Sequence, residues 1–199
     1  MLLIILLHAF LSLFPSLERE KEIAYEGTIV LESEEIVTGT FHFEEKEDLL
    51  YRRKKTGLEI FPIYKVKALY FYDARENINR HYIKIATDKS PSKFPYQLYE
   101  VVQSGELKVL RKRKAYDFPV KGESSELTKA EENAYNYHYF IQFNEDLLEM
   151  CDFSKKVLPR MRSQHPRELD SLLKEHDWNV HQPSGAIRLI AEYNQLNKL

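Results

Sequence analysis

Hydrophobic and polar residues alternate with a period of two from residue 25 to about residue 114. Such a period places successive side chains on opposite faces of a β-strand. Eight runs follow it, and polar, turn-like segments such as residues 32–34 and 55–57 separate them. The runs are YEGTIVL, EIVTGTFHF, DLLYRR, LEIFPIY, VKALYFYD, HYIKIA, YQLYEVV and ELKVLRKRK. Their short, near-regular spacing predicts an antiparallel, meander-like sheet that curls strongly or closes into a small barrel.

A second stretch of alternation follows a polar gap. Residues 115–136 are weakly periodic, and their centre, KGESSELTKAEEN, predicts an exposed loop or short helix near residues 121–133. The runs NYHYFIQF and EDLLEM then read as a hairpin that turns at Asn144 and Glu145. In the first run Tyr137, Tyr139, Ile141 and Phe143 share one face. The hairpin brings the expected sheet to about eight to ten strands.

The period becomes helical after Cys151. Three short amphipathic helices are expected, with Asp152 capping the first, Pro166 in the first turn of the second and Ser184 capping the third. The apolar stripes of the first two helices are Phe153, Val157 and Met161, and Leu169, Leu172 and Leu173. In the third helix one face carries Ile187, Ile190, Ala191 and Asn194, and another carries Leu189, Tyr193 and Leu196. Short helices bury such stripes only against one another and the sheet. We therefore predict an α+β fold, with an antiparallel β domain over residues 17–151 and a packed helical segment over residues 152–199.

The first sixteen residues, MLLIILLHAFLSLFPS, contain no charged side chain, and the polar LEREKE follows. This boundary is typical of a signal peptide-like leader joined to a secreted chain. We expect export to the periplasm, the cell envelope or the extracellular space, with membrane contact only through the leader if it stays uncleaved. A buried N-terminal helix or an uncleaved anchor is the alternative interpretation.

Composition limits the class of partner more than it identifies one. The 29 basic and 31 acidic residues give a net charge of -2, so no overall field attracts a polyanion, and we expect no nucleic-acid partner. The single cysteine, Cys151, has apolar neighbours and predicts a buried, inert thiol. Glycine-rich phosphate loops, the GxSxG motif and the HExxH motif are missing from the sequence. The sequence indicates no cofactor, no metal and no catalytic residue.

Two basic runs and a set of tyrosines are the candidate binding residues. The first basic run is RRKK at residues 52–55, which contains Arg52 and Arg53. The second is RKRK at residues 111–114, which contains Arg111 and Arg113. If the runs meet in space, they form a patch for phosphate groups of lipid headgroups or envelope polysaccharide. Charged strand ends that discourage edge pairing are the alternative.

The tyrosines suggest a different ligand, because an exposed tyrosine can stack on a sugar ring. The candidates are Tyr70 and Tyr72 in one strand, and Tyr137 and Tyr139 in another. Core packing or cross-strand pairing is the alternative role for all four.

Histidines and carboxylates give weaker signals. His176 and His181 flank Trp178, which is only a loose match to a metal site, and an inter-helix loop with an inward tryptophan is the simpler interpretation. The strand histidines His42 and His81, like His138, are expected to be structural and hydrogen-bonded. Carboxylates cluster in turns, where they are usually solvated, so no acid–base pair is nominated.

The layout resembles a widespread group of uncharacterised exported proteins of Gram-negative bacteria. The resemblance rests on the leader, the YEGTIVL and VKALYFYD strands, the FSKKVLPRM helix and the terminal IAEYN segment. It covers most of the chain and implies export, but it transfers no functional residue. We expect a non-enzymatic envelope or secreted module that binds an envelope protein, a glycan or a lipid headgroup. An atypical envelope hydrolase built from scattered Asp, Glu and His is the alternative.

Overall fold

A computed structural model describes residues 23–87, 95–114 and 136–197. The predicted leader and the predicted loop near residues 121–133 lie outside these residues. The described strands are β1 (Ala24–Leu31), β2 (Ile36–Glu44), β3 (Leu49–Lys54), β4 (Gly57–Phe61), β5 (Val66–Asp73), β6 (Ile78–Ala86), β7 (Tyr96–Gln103), β8 (Leu107–Arg113), β9 (Tyr137–Phe143) and β10 (Asp146–Glu149).

All ten strands belong to one antiparallel sheet with the order β10-β9-β8-β7-β6-β5-β1-β2-β3-β4. The eight predicted strands and the later hairpin are therefore confirmed. Asn144 has a φ of 54° in the β9–β10 turn, a left-handed conformation that asparagine tolerates. The sheet stays open, so it is a curled sheet and not a barrel. Its edges are β4 and β10.

Strand β5 shows how alternation sorts the side chains between the two faces. Leu69 and Phe71 are buried on one face, while Tyr70 and Tyr72 are exposed on the other, as a period of two requires. Strict alternation along β5 would place Val66 on the same face as Tyr70 and Tyr72. A register shift between Val30 and Leu31 of β1 moves it, and Val66 is fully buried in the core.

Side chains from β1 to β7 meet in one apolar cluster, so the face that carries them is concave. This first cluster comprises Ile29, Phe41, Phe43, Leu50, Phe61, Val66, Leu69, Phe71, Tyr82 and Leu98. The curl also brings the β2–β3 turn across to β7 and β8. There Asp48 accepts hydrogen bonds from the Leu98 N–H at 3.1 Å and the Lys112 Nζ at 2.5 Å.

The helical segment is α1 (Leu158–Gln164), α2 (Pro166–Glu175) and α3 (Pro183–Leu196), preceded by a 3-10 turn (Met150–Asp152) and a π-helical turn (Phe153–Val157). Pro166 opens α2 as expected. Asp152 makes no capping bond and instead pairs with Lys156 at 2.6 Å. Ser184 is also not the cap of α3, because Gln182 holds that position. None of the described helices is both long and apolar enough to cross a membrane.

The helices cover the concave face of β8 to β10. Phe153, Val157, Met161 and Leu169 of the predicted stripes join Leu107, Val109 and Ile141 of the sheet in a second apolar cluster, together with Met150, Leu158, Ala186, Leu189, Ile190 and Tyr193. A buried amide fixes α3 to β8: the Asn194 Oδ1 accepts from the Leu107 N–H at 3.0 Å, and its Nδ2 donates to the Leu107 carbonyl at 2.8 Å. The fold is therefore α+β, with the helices packed on one end of the sheet.

Cys151 is exposed, and the prediction of a buried thiol was wrong. A 3-10 turn repeats every three residues, so Met150 and Phe153 point into the core together and Cys151 between them points out. Apolar neighbours in the sequence do not imply burial at such a turn.

Candidate functional site

Four charged side chains form a continuous chain of ion pairs on the concave face. We call Asp73, Arg80, Glu100 and Arg111 the arginine network. Arg80 Nε donates to Asp73 Oδ2 at 2.7 Å, and Arg80 Nη1 lies 2.9 Å from both carboxylate oxygens of Glu100. Arg111 completes the chain with Nε at 2.7 Å from Glu100 Oε2 and Nη2 at 3.0 Å from Oε1.

Strand register places these residues side by side. Tyr82 of β6 pairs with Glu100 of β7, Glu100 pairs with Arg111 of β8, and Arg111 pairs with Tyr139 of β9. Tyr82 belongs to the first apolar cluster, and Tyr139 packs against the second. The arginine network therefore crosses the concave face between the two apolar clusters.

The network holds its charges despite burial. Burial raises the pKa of Asp73, but the hydrogen bond and charge of Arg80 outweigh it, so the net pKa is below the ordinary value of 3.8. Burial lowers the pKa of Arg80 and Arg111, and the negative charge of Glu100 reverses the shift in both, leaving each pKa raised. Because its members satisfy one another, the network reads as a structural element of the concave face.

Glu45, in the turn after β2, is the unusual carboxyl beside this network. Its Oε1 is buried and has no hydrogen-bond partner among the described residues. Burial, followed by repulsion from Glu100, raises its pKa above 4.5, against the opposing charges of Arg80 and Arg111. A carboxyl with a raised pKa is suited to donate a proton as a general acid.

A second candidate lies on the convex face. Tyr70 and Tyr72 are 43% and 48% exposed, and Tyr70 stacks on His81 of β6 with ring centroids 4.3 Å apart and an angle of 11° between planes. The Tyr72 hydroxyl donates to Asn77 Oδ1 at 2.5 Å. Burial, helped by the positive charge of Lys108, lowers the pKa of His81, so its ring is neutral at neutral pH. We call Tyr70, Tyr72 and His81 the tyrosine patch.

The other two candidate tyrosines lie on the concave face. Tyr137 is half-buried beneath Arg111, whose guanidinium carbon is 4.3 Å from the ring centroid. Tyr139 packs against the second apolar cluster. Tyr137, Tyr139, Ile141 and Phe143 share this face, as the alternation predicted.

The basic runs are balanced by acidic side chains on neighbouring strands. Arg52 pairs with Glu59 of β4, and Lys54 lies 2.7 Å from the same carboxylate. Arg53 lies on the opposite face from Arg52 and is exposed, whereas Arg111 belongs to the arginine network and Arg113, at the end of β8, is partly buried. Edge protection does not explain these runs, because β3 and β8 each pair on both sides.

The histidines are held by stacking and by single polar contacts. His176 stacks on Trp178 at 4.2 Å, and His181 Nδ1 lies 3.4 Å from Ser154 Oγ. Within the described ranges no group of three or more His, Cys, Asp or Glu side chains is placed to hold a metal ion. His42 and His81 each have a buried ring nitrogen without a hydrogen bond, so the prediction that both rings are fully hydrogen-bonded was wrong.

The sequence patterns did not identify the arginine network. Asp73 ends the VKALYFYD strand, where an aspartate commonly starts a turn, and its Oδ1 accepts hydrogen bonds from the N–H groups of Arg75 and Glu76, at 3.1 and 3.3 Å. The network could have been recognised in the sequence from charged residues at core-facing positions of alternating strands. Arg80 shares a face with Tyr82, and Glu100 shares one with Leu98. Such charges need buried partners.

A shallow apolar depression lies between α1, α3, β8 and β9. Its lining is mostly the second apolar cluster, with Arg160 and Gln164 at its margin. Comparisons with protein-family models, with curated proteins and with solved structures each gave no match.

Proposed function

We propose that this protein is a non-enzymatic binding module, exported to the cell envelope or secreted, and that the tyrosine patch is its glycan-binding surface. The observation that carries the proposal is the pair of half-exposed tyrosine rings on one face of β5. Period-two spacing sets the two side chains about 6.6 Å apart along the strand, so one oligosaccharide can contact both rings.

Physical chemistry favours a sugar at such a surface. A tyrosine offers an apolar ring face and a polar hydroxyl, which match the C–H faces and hydroxyls of a sugar. Strand β5 pairs with β1 and β6, so its backbone is held on both sides. His81, opposite Tyr70 on the neighbouring strand β6, stacks on the Tyr70 ring. A rigid aromatic surface loses little conformational entropy when a ligand binds.

The alternative function is an atypical envelope hydrolase, and Glu45 is the observation that favours it. Its raised pKa would make it the acid, and Glu100, held by hydrogen bonds from Arg80 and Arg111, would be the second carboxyl group. Two carboxyl groups in different environments are the arrangement that glycoside hydrolysis uses. The buried Oε1 weighs against this role, because a substrate must reach the proton donor.

The test is titration calorimetry of purified envelope polysaccharide against the full chain. We expect Tyr70→Ala with Tyr72→Ala to abolish binding, because the stacking faces are lost. Tyr64→Ala is the matched control, since Tyr64 is 49% exposed but lies in the 3-10 turn before β5. Equal binding by all three proteins would contradict the proposal. Release of reducing ends that Glu45→Gln abolishes would establish the hydrolase instead. N-terminal sequencing of the mature protein tests export, and a chain that begins at Met1 would refute cleavage of the leader.

A further inference from the structure

Strand β4 is an edge that lacks the usual protection against pairing. Within the described part of the chain it pairs with β3 alone. Leu58 and Ile60 are each 55% exposed on its convex side. Natural edge strands are usually blunted by lysine, proline, a bulge or an inward-pointing charge. Within the GLEIF sequence of β4 only Glu59 carries a charge, and Arg52 and Lys54 of β3 balance it.

The backbone of β4 offers its hydrogen-bonding groups outwards at the same two residues. The β3–β4 connection has two residues, so Lys54 and Gly57 form a hydrogen-bonded pair. Every second residue from Gly57 then bonds to β3. The N–H and C=O groups of Leu58 and Ile60 consequently point away from β3, towards the free side.

We propose that β4 pairs with β4 of a second copy of this chain, antiparallel about a two-fold axis at Glu59. In this register Leu58 lies opposite Ile60 of the second copy, and Ile60 lies opposite Leu58 of the second copy. Both are hydrogen-bonded pairs, so the four outward N–H groups and the four carbonyls of the two strands are matched. The exposed apolar side chains also meet each other across the interface.

Side chains beyond this centre fit the same register. Gly57 comes opposite Phe61 of the second copy and leaves space for its ring. Pro62 has no N–H, so pairing ends there. The two Glu59 side chains face each other, but each is already balanced by Arg52 and Lys54 of its own copy. A strand with these features is self-complementary, which an isologous two-fold interface requires.

The pairing has a consequence for binding that rests on the proposed function. A two-fold axis perpendicular to an antiparallel pair keeps the convex faces of both copies on the same side. The two tyrosine patches then face one polysaccharide together, and the second contact becomes intramolecular.

The first test is sedimentation velocity over a concentration series. Wild type should dimerise reversibly, and Leu58→Lys should raise the dimer Kd at least about tenfold, because it adds a charge to the apolar pair. Ile60→Pro removes only an outward N–H group and should also raise the dimer Kd. Ile36→Lys is the matched control, since Ile36 is 64% exposed on β2, away from the edge, and its Kd should not change. Circular dichroism checks that each variant is folded.

The second test is amide hydrogen exchange by NMR on the same samples. The Leu58 and Ile60 amides should gain protection as concentration rises, while those of Glu59 and Phe61 stay protected throughout by β3. A wild type that is monomeric at every concentration overturns the proposal. So does an equal effect of Ile36→Lys. Protection of Leu58 and Ile60 that is independent of concentration would show that another segment of the same chain covers β4, and would also overturn it.

Discussion

Arg80→Met tests whether the arginine network stabilises the fold. Methionine keeps the length and apolar stem of the side chain but removes its charge and its donors. Asp73 and Glu100 then lose a partner while only 5% and 4% exposed. Breaking a buried ion pair on one side leaves an uncompensated charge, and this costs more than the pair contributes when intact.

The magnitude follows from the partners that remain. Loss of one member of a buried pair typically costs about 3–5 kcal/mol. Glu100 keeps both bonds to Arg111, and Asp73 keeps the N–H groups of Arg75 and Glu76. We therefore expect a loss near the lower limit, about 3 kcal/mol. This is a large part of the free energy of unfolding of a typical domain, about 5–15 kcal/mol.

The assay is equilibrium urea unfolding at about pH 7, with the free energy taken from the midpoint and slope. Lys67→Met is the control, because Lys67 pairs with Glu34 at 2.6 Å but both side chains are largely exposed. Screening leaves such a pair with little effect on stability, so the control should unfold like wild type. Arg80→Lys keeps the charge but loses the bidentate contact, and it should fall between the two.

The pH dependence of stability provides a second test of the Asp73–Arg80 ion pair. The folded-state pKa of Asp73 is below its ordinary value of 3.8, so its contribution to stability exists above that value and is lost as pH falls through the folded pKa. The difference between wild type and Arg80→Met should therefore narrow in acid. A loss below about 1 kcal/mol at neutral pH, as for an exposed pair, would refute the reasoning.

Three further predictions concern other parts of the chain. Glu45 has a raised folded-state pKa, so its contribution to folding stability is present below pH 4.5 and is lost as pH rises through that pKa. In urea unfolding at several pH values, Glu45→Gln should therefore be more stable than wild type at neutral pH and should lose this advantage in acid. Leu169 is fully buried whereas Leu172 is only partly buried, so Leu169→Asp should lower the thermal midpoint more than Leu172→Asp, and the reverse order would contradict the packing. Cys151 should react with a thiol reagent at similar rates in native and denatured protein, and Cys151→Ala should change stability by less than about 0.5 kcal/mol; slow native labelling would show that the thiol is buried.

The fold class could be predicted because its signals are local. Period-two alternation in VKALYFYD or YHYFIQF is a property of a few adjacent residues, and it assigns the element and divides its side chains between two faces. The predicted helices were found for the same reason. Asp152 does precede the π-helical turn but makes no capping bond, and Ser184 is not the cap of α3, because the position where a helix begins depends on how the preceding turn packs.

The candidate sites depend on contacts between distant residues, and sequence patterns say less about those. Arg80 meets Glu100 only because β6 and β7 pair in one register, and a shift of one residue would turn either side chain to the other face. The bulge that buries Val66 is a similar local departure from alternation. Tyr70 and Tyr72 were candidates from the sequence, and both are exposed, but their exposure depends on which face of the sheet the core occupies. The sequence pattern alone does not decide that.

The concave face is filled by packed side chains, so the exposed binding surfaces proposed for this protein lie on the convex face and at β4. One apolar cluster occupies the concave side of β1 to β7, the helices cover β8 to β10, and the arginine network lies between them. Substitutions there change packed or ion-paired groups, so they should act first on stability. Tyr70, Tyr72, Leu58 and Ile60 are exposed, so their substitution should leave folding nearly unchanged. A loss of glycan binding or of dimerisation without a loss of stability can therefore be attributed to these surfaces, and the two losses should occur in different variants because the tyrosine patch and the β4 edge are separated by β1, β2 and β3.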